Sequence, residues 1–115
     1  MSQILKGEIY WANLNPTIGS EIAKTRPVLI VSNDINNKHA ATVSILPITS
    51  STAKIYPFEV FLPKGEGNLN NDSKAKANQI RTIDKQRIGN KIGKISQTKL
   101  AEIEEAILTH LGIER

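Results

Sequence analysis

At 115 residues the chain has room for one modest core, and with no cysteine it can be stapled neither by disulfides nor by thiolate-bound zinc. No apolar run approaches the roughly 18 residues of a membrane span, and the start "MSQILKGEIYW" lacks the basic, apolar and small-residue regions of a secretory signal. A single domain over 1–115, soluble in a reducing cytoplasm and attached to no membrane, is expected. The net charge of +4 is unevenly placed: residues 1–73 balance, 74–99 carry eight Lys/Arg against Asp84 alone, and 100–115 are acidic. A basic segment of this kind suits phosphate groups, though a solvated lysine-rich surface has the same composition.

In chain order, residues 7–14 (GEIYWANL) alternate imperfectly and stop at Asn-Pro, a first strand. A polar loop then leads to 26–34 (RPVLIVSND), whose continuous β-branched run reads as a strand buried on both faces. Residues 42–48 (TVSILPI) are similar, with Pro47 marking an edge, a bulge or a strand end. The segment 56–62 (YPFEVFL) has period two, with Phe58, Val60 and Leu62 on one face. Residues 63–72 (PKGEGNLNND) read as a mobile loop, 74–83 as a polar strand and 90–95 as a short one.

Only the C-terminus has helical spacing: Leu100, Ile103, Ile107 and Leu111 recur on one face, Ser96 or Thr98 caps the start, and Gly112 closes the end. Five or six strands and one terminal helix define a mostly-β chain, α+β in class, with a small barrel as the expected form.

Most catalytic motifs are missing. There is no phosphate-binding glycine loop, no HExxH and no Cys/His cluster; the two histidines are assigned to the turn at His39 and to the terminal helix at His110. What remains is arginine, hydroxyls and carboxylates. Arg26 stands where a polar loop meets a rigid strand, so its forked, permanently charged donor set can be aimed at phosphate oxygens. Alternatively it is a strand-end cation paired with Glu21 or Asp34. Thr49 and Ser50 follow a strand as Arg26 precedes one, and antiparallel neighbours bring such ends together.

Five pieces in order, "KGEIYWANLNPTIGSE", "RPVLIVSND", "ILPITSS", "YPFEV" and "NQIRTIDKQRI", resemble the MazF/PemK family of toxin endoribonucleases. The resemblance runs from about Lys6 to Ile95, with the helix also in its expected place. It implies a homodimer of SH3-like β-barrels of CcdB/PemK type, cutting single-stranded RNA in a sequence-specific way without metal or cofactor. The 2′-hydroxyl would attack its own phosphate and leave 2′,3′-cyclic phosphate and 5′-hydroxyl ends. A cognate MazE-like antitoxin would occupy the RNA groove with an acidic segment, and the basic stretch 74–99 would line that groove.

The same resemblance places Arg26 and Thr49 at the scissile phosphate and gives Glu21 a catalytic part. RNA contacts fall to Ser20, Glu21, Lys24, Ser50, Asn78, Gln79 and Arg81. Many relatives carry a carboxylate immediately before the glutamine, where this chain has Asn78, so a base at that position is missing and Glu21 is the favoured replacement. The alternatives are a catalytically silent relative and a gyrase-binding toxin on the same fold, which needs no Arg/Thr pair.

Overall fold

The computed structural model describes residues 3–115. Seven strands run β1 (Glu8–Asn13), β2 (Thr25–Ile30), β3 (Thr42–Thr49), β4 (Glu59–Leu62), β5 (Ser73–Lys76), β6 (Arg81–Asp84) and β7 (Ile88–Lys94), with helices α1 (Asp34–His39) and α2 (Gln97–Leu111). All pairings are antiparallel, in the order β4-β5-β3-β2-β1-β7, with β6 also on β3. Expected as a barrel, the sheet is bent but not closed, because β7 and β4 end the path without pairing to each other. The α+β class stands.

The near-continuous apolar runs behave as their composition requires, since β1, β2 and β3 are apolar on both faces. On one face Ile9, Leu29, Leu46 and Ile48 pack with Val60 and Leu62 beneath α2, where Ile103 and Ala106 complete the layer. On the other, Tyr10, Ala12, Val28, Ile30, Val43 and Ile45 form a second cluster with Ile83. Two apolar layers sharing one sheet fix its register, because a one-residue slip would exchange them.

The helix α2 starts at the Ser96 cap, whose side chain accepts from the Lys99 amide at 3.2 Å, and ends at Gly112 in the left-handed region (φ 68°). Of its predicted stripe Ile103 is buried and Leu100 and Ile107 half-buried, while Leu111 is exposed. The short helix α1 was not foreseen; His39 is its last residue rather than part of a turn. Its sequence, DINNKH, has no apolar stripe, and it is held instead by polar bonds. Asn33 caps it through Asn36, and the buried Asn37 donates to the Ser32 carbonyl at 2.9 Å.

Two further expectations are corrected. The single strand predicted over 74–83 is two strands, β5 and β6, separated by a 3-10 turn at Ala77–Gln79. Between the pairs Ile45–Arg81 and Ile48–Ala75, β3 advances three residues while the opposing chain advances six, and the turn takes up the difference. The loop over 63–72, read as mobile, is pinned. Leu69 is buried, the Glu66 carboxylate accepts from the Ser96 amide at 2.7 Å, and Asn68 donates to the Ile92 carbonyl at 3.1 Å. A methyl group on Gly93 would fall on the Gly67 carbonyl, so glycine here lets the loop backbone lie directly on β7.

Candidate active site

Strands β2 and β3 pair with Val28 opposite Pro47, and the same register continued outward sets Arg26 opposite Thr49. Both side chains line one cavity of about 240 Å³, together with Trp11, Pro27, Ser50 and the loop Asn68–Asn71. The convergence expected from antiparallel pairing is therefore present.

Two features of this cavity are unusual. The Thr49 hydroxyl oxygen is enclosed and has no hydrogen-bond partner among the described residues. Leaving such a group unsatisfied costs roughly 1–3 kcal/mol. Arg26 donates from Nε to the Ala23 carbonyl at 3.0 Å, which sets the plane of its guanidinium, and its terminal nitrogens meet no carboxylate among the described residues. The pairing with Glu21 or Asp34 does not occur. Glu21 accepts from the Ile18 amide at 2.6 Å and Asp34 from the Lys6 amide at 2.7 Å. A fixed cation and an enclosed hydroxyl without a partner among the described residues thus stand on adjacent strands at one cavity.

The other predicted residues assemble around the β1–β2 loop rather than in the cavity. Gln79 accepts from the Ile22 amide at 3.3 Å and donates to the Ser20 carbonyl at 3.4 Å. Arg81 donates to the Leu14 carbonyl at 3.3 Å, and Arg87 to the carbonyls of Asn13 and Asn15. The neck of the loop is closed by Leu14, whose amide donates to the Lys24 carbonyl at 2.9 Å, and by Asn15, which accepts from the Lys24 amide at 3.0 Å. Lys24 sits at φ 71°, where a side chain is disfavoured, and this local bonding holds it there. Gln79 and Arg81 thus act on the loop backbone. Ser20, Glu21, Lys24 and Asn78 are exposed and do not line the Arg26–Thr49 cavity; Ser50 does.

The basic segment 74–99 does not form one free surface. Lys74 and Lys76 converge on the buried Glu59, at 2.9 and 3.5 Å, and Lys74 also donates to the Lys54 carbonyl at 2.8 Å. Burial alone would push the Glu59 carboxyl up, but the Tyr56 amide and the two lysines outweigh it and hold it below the usual carboxylate range. Lys91 pairs with the buried Glu8 at 2.5 Å, Lys99 with Glu102, and Lys85 with the Asn37 carbonyl at 2.6 Å. Burial raises Glu8 as well, but Lys91, the Leu5 amide and the Tyr10 hydroxyl bring it below its ordinary value. Tyr10 is raised, first by burial and then by the hydrogen bond it donates to Glu8 at 2.7 Å.

Trp11 and the asparagines of 68–71 were not singled out from the sequence as site residues. The signal available for Trp11 was its place as the one tryptophan of the chain, in a strand that needed no second aromatic. For the asparagines there was none, because their seat depends on the Gly67–Gly93 contact. Among the described residues no three His, Asp or Glu side chains gather as a metal-binding group, and no helix is long and apolar enough to cross a membrane.

The chain is thus a small α+β domain, an antiparallel sheet with a C-terminal helix, in which an arginine and a threonine meet at the ends of adjacent strands. The family model for the PemK-like, MazF-like toxin of type II toxin–antitoxin systems matches residues 5–111. Endoribonuclease MazF9 of Mycobacterium tuberculosis is 40% identical over 113 residues, covering 94% of this chain and 96% of that protein. Among solved structures, MazF of Deinococcus radiodurans superposes with a TM-score of 0.86 at 27% identity, covering 98% of this chain and all of that one. A mycobacterial endoribonuclease in complex with its cognate antitoxin matches with a TM-score of 0.81 at 26% identity, covering 97% of this chain and 98% of that one. The chain belongs to the PemK/MazF toxin family.

Proposed function

We propose that this chain is an endoribonuclease toxin that cleaves single-stranded RNA at the Arg26–Thr49 cavity and is neutralised by a cognate antitoxin. The observation that carries the reading is the pairing of an enclosed, unbonded Thr49 hydroxyl with a carboxylate-free Arg26 in one cavity. Membership of the toxin family, and the likeness to an endoribonuclease along almost the whole chain, support it.

In this reaction the ribose 2′-oxygen bonds to the adjacent phosphorus as the bond from phosphorus to the 5′-oxygen breaks. The leaving 5′-oxygen takes a proton from water, and the products are a 2′,3′-cyclic phosphate and a 5′-hydroxyl. Negative charge builds on the non-bridging oxygens, where the guanidinium of Arg26 and the hydroxyl of Thr49 stabilise it; one such donor is typically worth on the order of 10²–10³ in rate. Arginine is always protonated, so Arg26 acts through charge and geometry rather than as a base. Glu21, on the exposed loop leading into Arg26 and outside the cavity of the free protein, is the proposed acceptor of the 2′-hydroxyl proton, reached when bound RNA lies over that loop. Its Oε1 is held by the Ile18 amide, leaving Oε2 for the proton.

The working form is a homodimer in the cytoplasm, and the proposed chemistry runs without a metal, the developing charge being met by Arg26 and Thr49. The antitoxin segment that competes with RNA is acidic, as Arg26 requires. Cleavage of an oligonucleotide with a single 2′-deoxy sugar at the cut site tests the reading. That substrate should resist while its all-ribose twin is cut in EDTA, and equal cleavage of the two would overturn it.

A further inference from the structure

The β1–β2 loop is fastened at its neck, on its β2 side and at one place between. The neck is the pairing of Leu14 and Asn15 with Lys24. On the β2 side Ile22 packs against the second apolar cluster, and the Ala23 carbonyl accepts from Arg26 Nε. Ser20 and Glu21 stand exposed ahead of that anchor. Apart from the Arg26 bond, among the described residues only Gln79 reaches residues 16–23 with hydrogen bonds from another part of the chain.

Where those two bonds fall is informative. Gln79 accepts from the Ile22 amide at 3.3 Å and donates to the Ser20 carbonyl at 3.4 Å. The two groups belong to the peptide units on either side of Glu21. Peptide units are planar, so the direction in which a side chain leaves its Cα follows from the two planes that meet there. One glutamine amide therefore holds both planes at Glu21, and ties the exposed Ser20 to the anchored Ile22. Its own mount is firm. Gln79 ends the 3-10 turn Ala77–Gln79, where Ala77 is buried and its amide donates to the Phe58 carbonyl at 3.0 Å, and β3 pairs with the chain on both sides of the turn.

We infer that Gln79 is a positioning residue for the cleavage reaction, its amide aiming the Glu21 carboxylate and acting through it rather than by contact with RNA. The inference rests on the endoribonuclease reading above, in which Glu21 takes the 2′-hydroxyl proton. The task needs a donor and an acceptor on one side chain: a carboxylate lacks the first, and lysine or arginine lacks the second. Both bonds are at the long end of the normal range, so they hold the loop without adding much to the stability of the fold. Arg26 does not depend on them, because Ile22 and Ala23 are anchored separately.

Gln79→Met, which keeps the length of the side chain and removes the amide, tests this with two readouts. In the free protein, hydrogen exchange at the Ile22 amide should quicken by about 5-fold, the equivalent of one ordinary hydrogen bond, while the Leu14 amide at the neck is unchanged. In cleavage, kcat should fall by about 10- to 100-fold, the effect of a misplaced reacting group, and affinity for an uncleavable 2′-deoxy oligonucleotide should stay within about 2-fold. The double variant Glu21→Gln/Gln79→Met should be no slower than Glu21→Gln alone, because residues that act through one another are not additive.

Unchanged exchange at Ile22, a loss confined to oligonucleotide affinity, or losses that multiply in the double variant would each overturn the inference. Cleavage at the parent rate by Glu21→Gln would remove the base and the inference with it, leaving Arg26 and Thr49 as the site. Failure of the parent protein to cut any all-ribose RNA would instead sink the endoribonuclease reading itself, so the two failures are distinguishable.

Discussion

Glu59 and Arg26 sit in two charged regions of the same sheet that stand in opposite states. Around Glu59 every charge is answered: Lys74 and Lys76 converge on one carboxylate whose side chain is 1% exposed, and the Tyr56 amide and Lys54 carbonyl take up further bonds. Around Arg26 the accounting is left open: among the described residues the guanidinium meets no carboxylate and the Thr49 hydroxyl has no hydrogen-bond partner. Charge that is answered inside the chain serves the fold. Charge that is left over is available to a ligand. The sequence places the lysines of β5 in a strongly basic segment and Arg26 in a balanced one, so charge density along the chain points away from the cation that is left without a carboxylate among the described residues.

The comparison predicts a double dissociation. The largest effect belongs to Glu59→Gln, which strands Lys74 in the interior and should lower stability by about 3–5 kcal/mol. Urea titration reads the loss, and the fraction that stays folded should cleave RNA at the parent rate.

Arg26→Ala should do the reverse, reducing cleavage by about 10²–10³ while the urea midpoint stays within the roughly 0.5 kcal/mol of an ordinary surface change. Arg26→Lys should be nearly as poor, because a point charge does not reproduce the planar fork.

Thr49→Val sharpens the contrast further. Removing a hydroxyl that has no partner should stabilise the free protein by about 1 kcal/mol while slowing cleavage, whereas Thr49→Ser should retain most of the rate. If Thr49→Val were less stable, the hydroxyl would be bonded in the free protein and the cavity would not be vacant for a phosphate oxygen.

The smallest effect is on pH dependence. Glu59 and Glu8 are held below their ordinary value of 4.5, so the unfolded chain binds protons more readily than the folded one in acid. The stability they contribute is complete above about pH 5.5 and is lost as pH falls past 4.5 toward their folded values. Glu59→Gln should flatten this acid limb, and thermal melts between pH 3 and 6 read the difference.

How much could be read beforehand follows from the range of the forces involved. The buried strands and α2 were legible because apolar periodicity is a local signal, and Arg26 and Thr49 were legible because antiparallel pairing brings strand ends together. The short helix at Asp34–His39 was not, since a buried asparagine holds it rather than an apolar stripe. The split of 74–83 was hidden because it depends on how far β3 extends. The seat of the Asn68–Asn71 loop was hidden for the same kind of reason: "PKGEGNLNND" has loop composition, and the close approach of Gly67 to Gly93, far apart in sequence, is what lays it against β7. Gln79 and Arg81, expected at the RNA groove, bond the backbone of the β1–β2 loop, a contact that depends on the fold and has no local signal.

That grip on the β1–β2 loop separates two things that a nuclease must keep apart over evolutionary time. Because Leu14 and Lys24 knot the loop at its base, the tip beyond them can gain or lose residues without transmitting the change into β2. An exposed position such as Ile18 is therefore free to drift, while β2, which carries Arg26, stays where the sheet puts it. A lineage built on this plan can vary the tip and keep Arg26 and Thr49 where the sheet puts them, so long as the Ile18–Glu21 turn that holds the proposed base is retained.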